Sequence, residues 1–233
     1  MKHALITLQF SAAIIFISGA FAVHKQLQFL KNRPLGFDQS LVLNIPLQSE
    51  NNMNGGFRPG DANMRSRMNA FDEALTNLAG VEAVTQAASP PGVGAILRKV
   101  WNEHIREEDN FYAGILAVDY DYVETFKMKV LAGRDFDSSF GTDHTSSFLI
   151  NEQAMQALGW DDPENTLGQT IVLEGKEGQV VGVLHDFHFS NLRNAIEPLI
   201  MEVRPGAFAY FSVKLRNANV DKLISQIEDL CHH

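Results

Sequence analysis

The chain has 233 residues, with a hydrophobic fraction of 45% and a charged fraction of 20%, which is typical of a folded globular protein. Its formal net charge is −9 and it has no run of basic residues, so nucleic acid is not an expected partner. The only cysteine, Cys231, excludes an internal disulfide. His232 and His233 are either native residues or the remains of a purification tag.

The first predicted element is a long apolar helix. Residues 4–23 contain no acidic or basic side chain. About 20 such residues in a helix cross a hydrocarbon layer ~30 Å thick, so the stretch predicts a transmembrane helix. A cleaved signal peptide is the alternative, because Lys2 gives a basic start and residues 20–22 match a small-x-small cleavage pattern. Both interpretations place the rest of the chain outside the cytoplasm, unless the helix is inserted the other way round.

The helical pattern continues beyond the apolar run. Val23, Leu27 and Leu30 keep helical spacing until Pro34, which ends the pattern. A signal peptide gives no reason for such a continuation. The sequence therefore favours a transmembrane and stalk helix over residues 1–34.

A strand–helix–strand unit is predicted next. Residues 41–46 form a predicted buried strand, residues 64–78 an amphipathic helix and residues 81–85 a second strand. Residues 48–63 are polar and Gly-rich, which is typical of a flexible loop. The Ser-Pro-Pro-Gly-Val-Gly sequence at residues 89–94 predicts a hinge between two lobes, with a simple crossing loop as the alternative.

Most of the remaining predicted elements are strands. Strands are predicted within 99–118 and at 130–132, 148–150, 168–173, 179–184, 199–203 and 208–215, with short helices at 120–126 and 151–158 and a last helix at 220–230 after a cap at Asn219. Residues 174–178 indicate a hairpin turn between two of these strands. Helices and strands are mixed without regular alternation, so the predicted fold class is α+β.

Residues 185–188 bring potential metal ligands close together in the sequence. If this stretch is a strand, Asp186 and His188 share one face and His185 lies on the other, so at most two ligands converge. A metal site usually needs three or four, and a metal-dependent enzyme would require further ligands from elsewhere. We interpret Asp186 as a turn cap and the histidines as packed or exposed side chains.

No other motif predicts catalysis. Residues 175–176 lack the first glycine and the following Ser or Thr of a P-loop, no G-x-S-x-G sequence occurs, and Cys231 has no histidine and acid framework. Asp119, Asp121 and Glu124 lie close together, but surface charge on a loop explains them equally well. We therefore predict no catalytic, cofactor-binding or metal-binding residues and no cofactor.

Short motifs follow one another in a specific order. They are Lys25-Gln26-Leu27, Leu35-Gly36-Phe37, Gly133-Arg134-Asp135-Phe136, Ile150-Asn151-Glu152, Leu158-Gly159, Gly168-Gln169, Gly182-Val183-Leu184-His185-Asp186-Phe187-His188-Phe189 and Ile196-Glu197-Pro198-Leu199. Each motif alone is weak. Their order and spacing over nearly the whole chain resemble the MacB/FtsX-like ABC transporter permeases, in the multi-helix form common in Bacteroidetes-type bacteria.

The resemblance implies a two-lobed periplasmic domain after the transmembrane and stalk helix of residues 1–34. A porter-like α/β lobe would combine residues 38–95 with residues 206–231. A β-rich, sabre-like lobe would be inserted between them as residues 96–205. Complete permeases of this kind have four or more apolar segments, so we expect the chain to be part of a longer protein.

The resemblance also implies a function and partners. ATP would be hydrolysed by a separate cytoplasmic ABC ATPase, so this chain is not expected to be an enzyme. The domain would transmit the resulting motion to an exported substrate or a regulated partner, which is called mechanotransmission. Other implied partners are a second permease half or a second copy, a membrane-fusion protein and the lipid bilayer of the inner membrane. The alternative is a secreted or periplasmic binding protein whose signal peptide is cleaved after Ala22.

Overall fold

The structure is a computed structural model that describes residues 2–32, 35–38, 41–47, 62–103, 105, 111–191, 195–216 and 220–231. It contains two compact units, Met1–Leu35 and Gly36–His233. Most of the predicted loop 48–63, together with Pro34, the Asn219 cap and the two C-terminal histidines, lies outside the described residues.

The first unit contains helix α1 (Lys2–Asn32), which runs without a break through the apolar segment and into the predicted stalk. Its apolar side chains are exposed, including those of Phe10, Phe16 and Ile17. In the part of the chain that the structure describes, no helix is long and apolar enough to cross a membrane. The predicted transmembrane helix is thus not confirmed.

The second unit mixes helices and strands, which confirms the predicted α+β class. Its strands are β1 (Val42–Pro46), β2 (Val81–Ala87), β3 (Ile96–Asn102), β4 (Phe111–Val118), β5 (Val130–Gly133), β6 (Ser147–Asn151), β7 (Thr170–Leu173), β8 (Lys176–Leu184), β9 (Leu199–Val203) and β10 (Tyr210–Leu215). Its helices are α2 (Ala62–Thr76), α3 (Tyr122–Thr125), α4 (Asp143–Ser146), α5 (Glu152–Ala157), α6 (Pro163–Thr166) and α7 (Val220–Cys231).

A three-stranded antiparallel sheet is formed by β1, β10 and β2, with β10 in the centre. Helices α2 and α7 are amphipathic and bury their apolar stripes against it. Leu75 of α2, Leu223 of α7 and Phe211 of β10 belong to one buried cluster. The sheet therefore unites residues from both ends of the second unit.

Six strands close into a ring in the order β4, β3, β7, β8, β6 and β9, because β9 pairs back onto β4. Side chains alternate between the two faces of a strand, so each strand sends residues into the ring. All six contribute to one buried cluster, which includes Val100, Ile115, Phe148, Ile171, Val180 and Ile200. Met155 and Leu158, within or just after α5, pack against the same cluster.

Two details refine the predicted strands. The strand-like stretch 99–118 contains β4 and most of β3, which pair antiparallel. The predicted hairpin at 168–184 is confirmed, but its turn is tighter than expected. Glu174 and Gly175 have φ values of 51° and 82°, the left-handed conformation that a two-residue hairpin turn of type I′ requires.

The sheet and the ring meet at a narrow junction. Ala87 of β2 and Val118 of β4 form the one residue pair that joins these two strands. Two backbone bonds flank it, from Ala88 N–H to Ala117 C=O at 2.8 Å and from Asp119 N–H to Gln86 C=O at 2.9 Å. Few hydrogen bonds thus hold the sheet to the ring at this point.

The Gly-Arg-Asp-Phe motif that begins at Gly133 fixes the chain beside β8. Arg134 forms a bidentate ion pair with Asp143, at 2.6 and 2.8 Å, and its guanidinium lies 4.0 Å from the centre of the Phe140 ring. Gly133 has a φ of 75°, and a Cβ there would lie 2.3 Å from the Val181 carbonyl oxygen. The glycine is needed because no side chain fits.

We predict that Gly133→Ala lowers the free energy of unfolding by at least about 2 kcal/mol more than Gly168→Ala does. Gly168 has a similar φ of 77°, but a Cβ there meets no atom within 4 Å. The control therefore carries the backbone strain without the collision. Urea denaturation followed by circular dichroism measures both variants, and equal losses would contradict the packing argument.

Candidate functional site

Residues 185–189, the HDFHF loop, follow directly after β8 and have no regular secondary structure. The conditional interpretation of this stretch as a strand is therefore wrong. Phe187 and Phe189 are buried in a cluster with Tyr122 and Phe126. The loop lies where the ring, helix α5 and the N-terminal residues of the second unit meet.

The HDFHF loop and the start of α5 hold each other by reciprocal hydrogen bonds. Asp186 accepts the backbone N–H of Gln153 at 3.1 Å and its side-chain amide at 2.8 Å. In return, Glu152 accepts the backbone N–H of Asp186 at 2.9 Å, and the same oxygen lies 2.6 Å from His185 Nδ1. Asp186 thus caps the first turn of a helix rather than a turn of its own loop.

Asn151 connects α5 to the motif of residues 196–199. Its side-chain oxygen accepts the N–H of Ala154, as the predicted helix cap requires, and also the N–H of Leu199 at 2.8 Å. Its amide donates to the carbonyl of Glu197 at 3.0 Å. One side chain therefore starts the helix and fixes the beginning of β9.

The two histidines do not converge on one point. The side chain of His185 is about half exposed and bonds to Glu152, whereas His188 is buried with 6% of its surface exposed. Among the described residues, no group of three or more His, Cys, Asp or Glu side chains could hold a metal ion. His185 and Asp186 instead hold the HDFHF loop against the start of α5.

Residues 36–38, the anchor segment, pack directly onto the HDFHF loop. A Cβ on Gly36 would lie 2.7 Å from both the carbonyl oxygen of Asp186 and the Cβ of Phe187, so only glycine allows this approach. The ring of Phe37 packs edge-to-face on Phe126 and on Phe187, at centroid distances of 6.1 and 6.4 Å. Two motifs that lie far apart in the sequence therefore meet in the fold.

The anchor segment is also tied to the centre of the sheet. Asp38 donates its N–H to the Phe126 carbonyl at 2.7 Å, and its carboxylate accepts from Lys214 Nζ of β10 at 2.9 Å. Lys214 is 3% exposed and also donates to the Thr125 carbonyl. Lys127 adds a more exposed contact to Asp38 at 3.3 Å. The anchor segment thus reaches both the ring and the sheet.

The predicted hinge at residues 89–94 contacts the same loop. Gly92 donates its N–H to the carbonyl of Phe189 at 3.0 Å, and the Ser89 hydroxyl donates to the carbonyl of Gly94. The ring of Phe189 also closely approaches Gly114 of β4. The HDFHF loop therefore contacts the anchor segment, α5, the ring and the connection from β2 to β3.

Comparison with known proteins identifies the family of this domain. A family model described as the MacB-like periplasmic core domain matches residues 13–230. The chain belongs to this family. No curated protein sequence matches the chain.

Two solved structures have a similar fold. The periplasmic region of MacB from Actinobacillus actinomycetemcomitans matches with a TM-score of 0.57 and 14% identity, covering 84% of each chain. The extracellular domain of the noncanonical ABC-type transporter YknZ from Gram-positive bacteria matches with a TM-score of 0.50 and 15% identity, covering 70% of this chain and 83% of that one. At these identities the likeness shows the fold, while the family match shows that this is the periplasmic domain of a MacB-like ABC transporter permease.

The buried ion pair of this MacB-like domain could have been anticipated in part from a single residue in the sequence, Lys214, which belongs to none of the short motifs. Lys214 lies inside the predicted strand 208–215, most of whose other residues are apolar. A lysine in such a stretch needs an anionic partner. The sequence could not identify Asp38 as that partner, because nothing local connects the two residues.

Asp119 in the MacB-like domain is not the surface charge that the sequence suggested. Its carboxylate accepts hydrogen bonds from the Thr85 hydroxyl and from the backbone N–H of Gln86 on β2. Burial, opposed in part by these bonds, raises the pKa of Asp119 to about 7. Asp119 therefore connects the end of β4 to β2 by hydrogen bonds across the narrow junction between the sheet and the ring.

Burial also shifts the pKa values of other carboxyl groups, including Asp121, whose charge contributes to the shift at Asp119. Burial and neighbouring carboxylates raise the pKa of Asp135 to about 6, and they also raise the pKa values of Asp72 and Asp121. The contrast is Asp143, where burial is outweighed by the bonds from Arg134, so its pKa lies below the usual range. Burial is thus the main cause of the raised pKa values of Asp72, Asp119, Asp121 and Asp135.

We predict that the ion pair between Asp38 and Lys214 is strongly coupled. Asp38→Ala leaves a buried ammonium without its carboxylate and should lower the free energy of unfolding by about 3 kcal/mol. The double variant Asp38→Ala/Lys214→Met should recover much of this loss, as measured by urea denaturation. The exposed pair Arg98–Glu174 is the control, with an expected coupling of about 0–1 kcal/mol. Additive losses at Asp38 and Lys214 would contradict the prediction.

We predict that the domain loses stability as the pH rises from about 4 to about 7. The folded pKa of Asp119 exceeds its unfolded value, so the folded state binds more protons within this window and the free energy of unfolding falls as they are released. In the Asp119→Asn variant, the decrease in the free energy of unfolding over this pH range should be smaller by on the order of 2 kcal/mol. Glu177→Gln, which removes an exposed carboxylate, should leave the wild-type dependence in place. Urea titrations at several pH values test this, and an unchanged slope in Asp119→Asn is the opposing result.

Proposed function

We propose that this domain transmits movement. Hydrolysis of ATP on a separate cytoplasmic ABC ATPase subunit would move the chain that leads into the anchor segment. The domain would pass this movement to an exported substrate or to a regulated partner in the periplasm. The complete permease would reside in the inner membrane, with this domain outside the cytoplasm.

The observation that carries the proposal is the double attachment of the anchor segment. It follows α1 closely in the sequence, bonds to the central strand of the sheet through Asp38, and packs onto the HDFHF loop through Gly36 and Phe37. A buried ion pair and packed aromatic rings resist separation more strongly than exposed contacts do. A force on this segment would therefore act on the sheet and the ring together.

The proposed division into lobes has support from the strand order. The sheet and its helices are built from residues in 38–95 and 206–231, as expected for the porter-like lobe. All six strands of the ring lie within 96–205, the proposed sabre-like lobe. The narrow junction at Ala87 and Val118 gives a place where the two lobes could move relative to each other.

The proposed partners follow from this role. The movement is proposed to come from a cytoplasmic ABC ATPase, because motion of the domain against a load needs an energy source and the family is that of ABC transporter permeases. A second permease half or a second copy of the chain would complete the transporter. A membrane-fusion protein is proposed as the partner if the function is export.

We predict that weakening the contacts of the anchor segment uncouples ATP hydrolysis from movement of this domain. The permease that contains this domain would be reconstituted with its ATPase in nanodiscs. Cys231→Ser removes the native cysteine of this chain, and spin labels are attached at Lys222→Cys, on a helix that packs against the sheet, and at Glu177→Cys, on the ring. Both positions are exposed. Addition of ATP and vanadate should change the distance between the labels, measured by electron paramagnetic resonance. In the double variant Phe37→Ala/Asp38→Ala, ATPase activity should persist while the distance change is lost.

The matched control is Phe140→Ala, which removes a phenylalanine that is about half exposed and does not belong to the anchor. It should retain the distance change. If the wild-type complex shows no ATP-dependent change, the proposed function is wrong. If the anchor variant changes as the wild type does, movement reaches the domain by another route.

A further inference from the structure

Strand β3 is paired along only part of one edge. On one side, β4 pairs with residues from Ile96 to Val100. On the other side, β7 pairs only from Val100 to Asn102. Among the described residues, no strand pairs with this second side of residues 96–99, which we call the free β3 edge.

The free β3 edge presents backbone hydrogen-bonding groups. In an antiparallel ladder, successive residues direct these groups to opposite sides. Gly114, the partner of Leu97 on β4, donates its N–H away from β3, to the Pro198 carbonyl. Leu97 and Lys99 therefore direct their N–H and C=O groups toward the free edge. Within the described ranges, the contact made there is that of the Arg98 guanidinium with the Leu97 carbonyl, at 3.1 Å.

An open cavity of about 570 Å³ flanks the free β3 edge. Its lining includes Leu97, Lys99, Trp101, Tyr112 and the turn at Glu174. Leu97 and Tyr112 are 55% and 58% exposed, although both are large and largely apolar. Exposed apolar side chains beside unpaired backbone groups are features that soluble proteins usually avoid, unless a partner covers them.

The charge beside the edge is positive. Lys99 lies directly opposite Tyr112 on the neighbouring strand, and it forms no ion pair among the residues that the structure describes. Arg98, by contrast, is bound to Glu174 at 2.6 Å. An exposed lysine between apolar side chains favours an anionic group flanked by apolar ones.

We propose that the free β3 edge binds an extended segment of a partner protein, which adds to the ring as a short strand and places an acidic residue against Lys99 and an apolar residue, two positions away, against Leu97. About four residues of such a strand would cover the edge, over roughly 13 Å. The added backbone would replace the Arg98 contact at the Leu97 carbonyl. Its apolar side chain would cover Leu97.

This assignment accounts for all three features of the surface. A small anionic amphiphile would satisfy the apolar side chains and the lysine, but it would leave the N–H groups of Leu97 and Lys99 unpaired. A strand pairs them as well.

The test uses the peptide acetyl-Thr-Val-Thr-Asp-Thr-Val-Thr-amide, in which one face carries Val, Asp and Val. The protein carries Trp160→Phe, so that Trp101 beside the edge is its only tryptophan. The peptide should change the fluorescence of Trp101 in a saturable way and slow hydrogen exchange at the N–H groups of Leu97 and Lys99. The same peptide, N-methylated at alternate residues on its pairing edge, should fail in both measurements because it cannot form the ladder.

Charge reversal tests the chemistry of the partner. Lys99→Glu should weaken binding of the peptide by roughly threefold or more, because an attraction becomes a repulsion. Lys129→Glu, at an exposed lysine near the other end of the ring, is the matched control and should leave the affinity unchanged.

Three outcomes would overturn the proposal. The first is no change in Trp101 fluorescence or amide exchange up to about 1 mM peptide, a limit that corresponds to about 4 kcal/mol of binding. The second is equal binding of the N-methylated peptide, which would indicate a groove that recognises side chains only. The third is binding of decanoate but not of the peptide, which would assign the cavity to small amphiphiles. None of these results bears on movement transmitted through the anchor segment.

Discussion

Lys214 places a positive charge in the middle of a buried strand, and much of the fold is arranged around the need to neutralise it. The partner is Asp38, on the anchor segment that follows α1, and the Thr125 carbonyl satisfies a second donor of the ammonium. Because an unpaired buried charge is costly, the anchor segment cannot leave the sheet without a large loss of stability. The N-terminal end of the second unit is thereby held at the centre of the sheet.

The HDFHF loop extends this attachment to the ring. Its histidine and aspartate resemble catalytic or metal-binding residues in the sequence, yet in the fold they hold the start of α5 through Glu152 and Gln153. Phe187 packs against Phe37, and the Phe189 carbonyl accepts the N–H of Gly92 in the connection from β2 to β3. In the domain of a MacB-like permease, this loop connects the ring to the anchor segment, and Asp119 connects β4 to β2 at the narrow junction.

Features that depend on residues close together in the sequence were predicted well, and features that depend on distant residues were not. The amphipathic helices α2 and α7, the Asn151 cap and the hairpin β7–β8 were predicted because spacing, capping and turn residues act over a few positions. The stretch 99–118 was predicted only as strand-like, because β3 and β4 both carry strand-forming residues and spacing alone does not show where one strand ends and the next begins. In the sequence, surface charge explained Asp119 as well as a functional role did, because its hydrogen-bond partners Thr85 and Gln86 come from another strand.

The sequence by itself determined the α+β class, most of the helices and strands, and the family, since these depend on local periodicity and on the order of short motifs. Only the tertiary structure decided that six strands close into a ring, that β3 leaves part of one edge free, and that Gly36 and Phe37 meet the HDFHF loop. Pairing between strands is a long-range choice, made by the burial of whole faces and not by any residue alone. The partner of a buried charge such as Lys214 is decided in the same way, because the chain must fold before the two groups can meet.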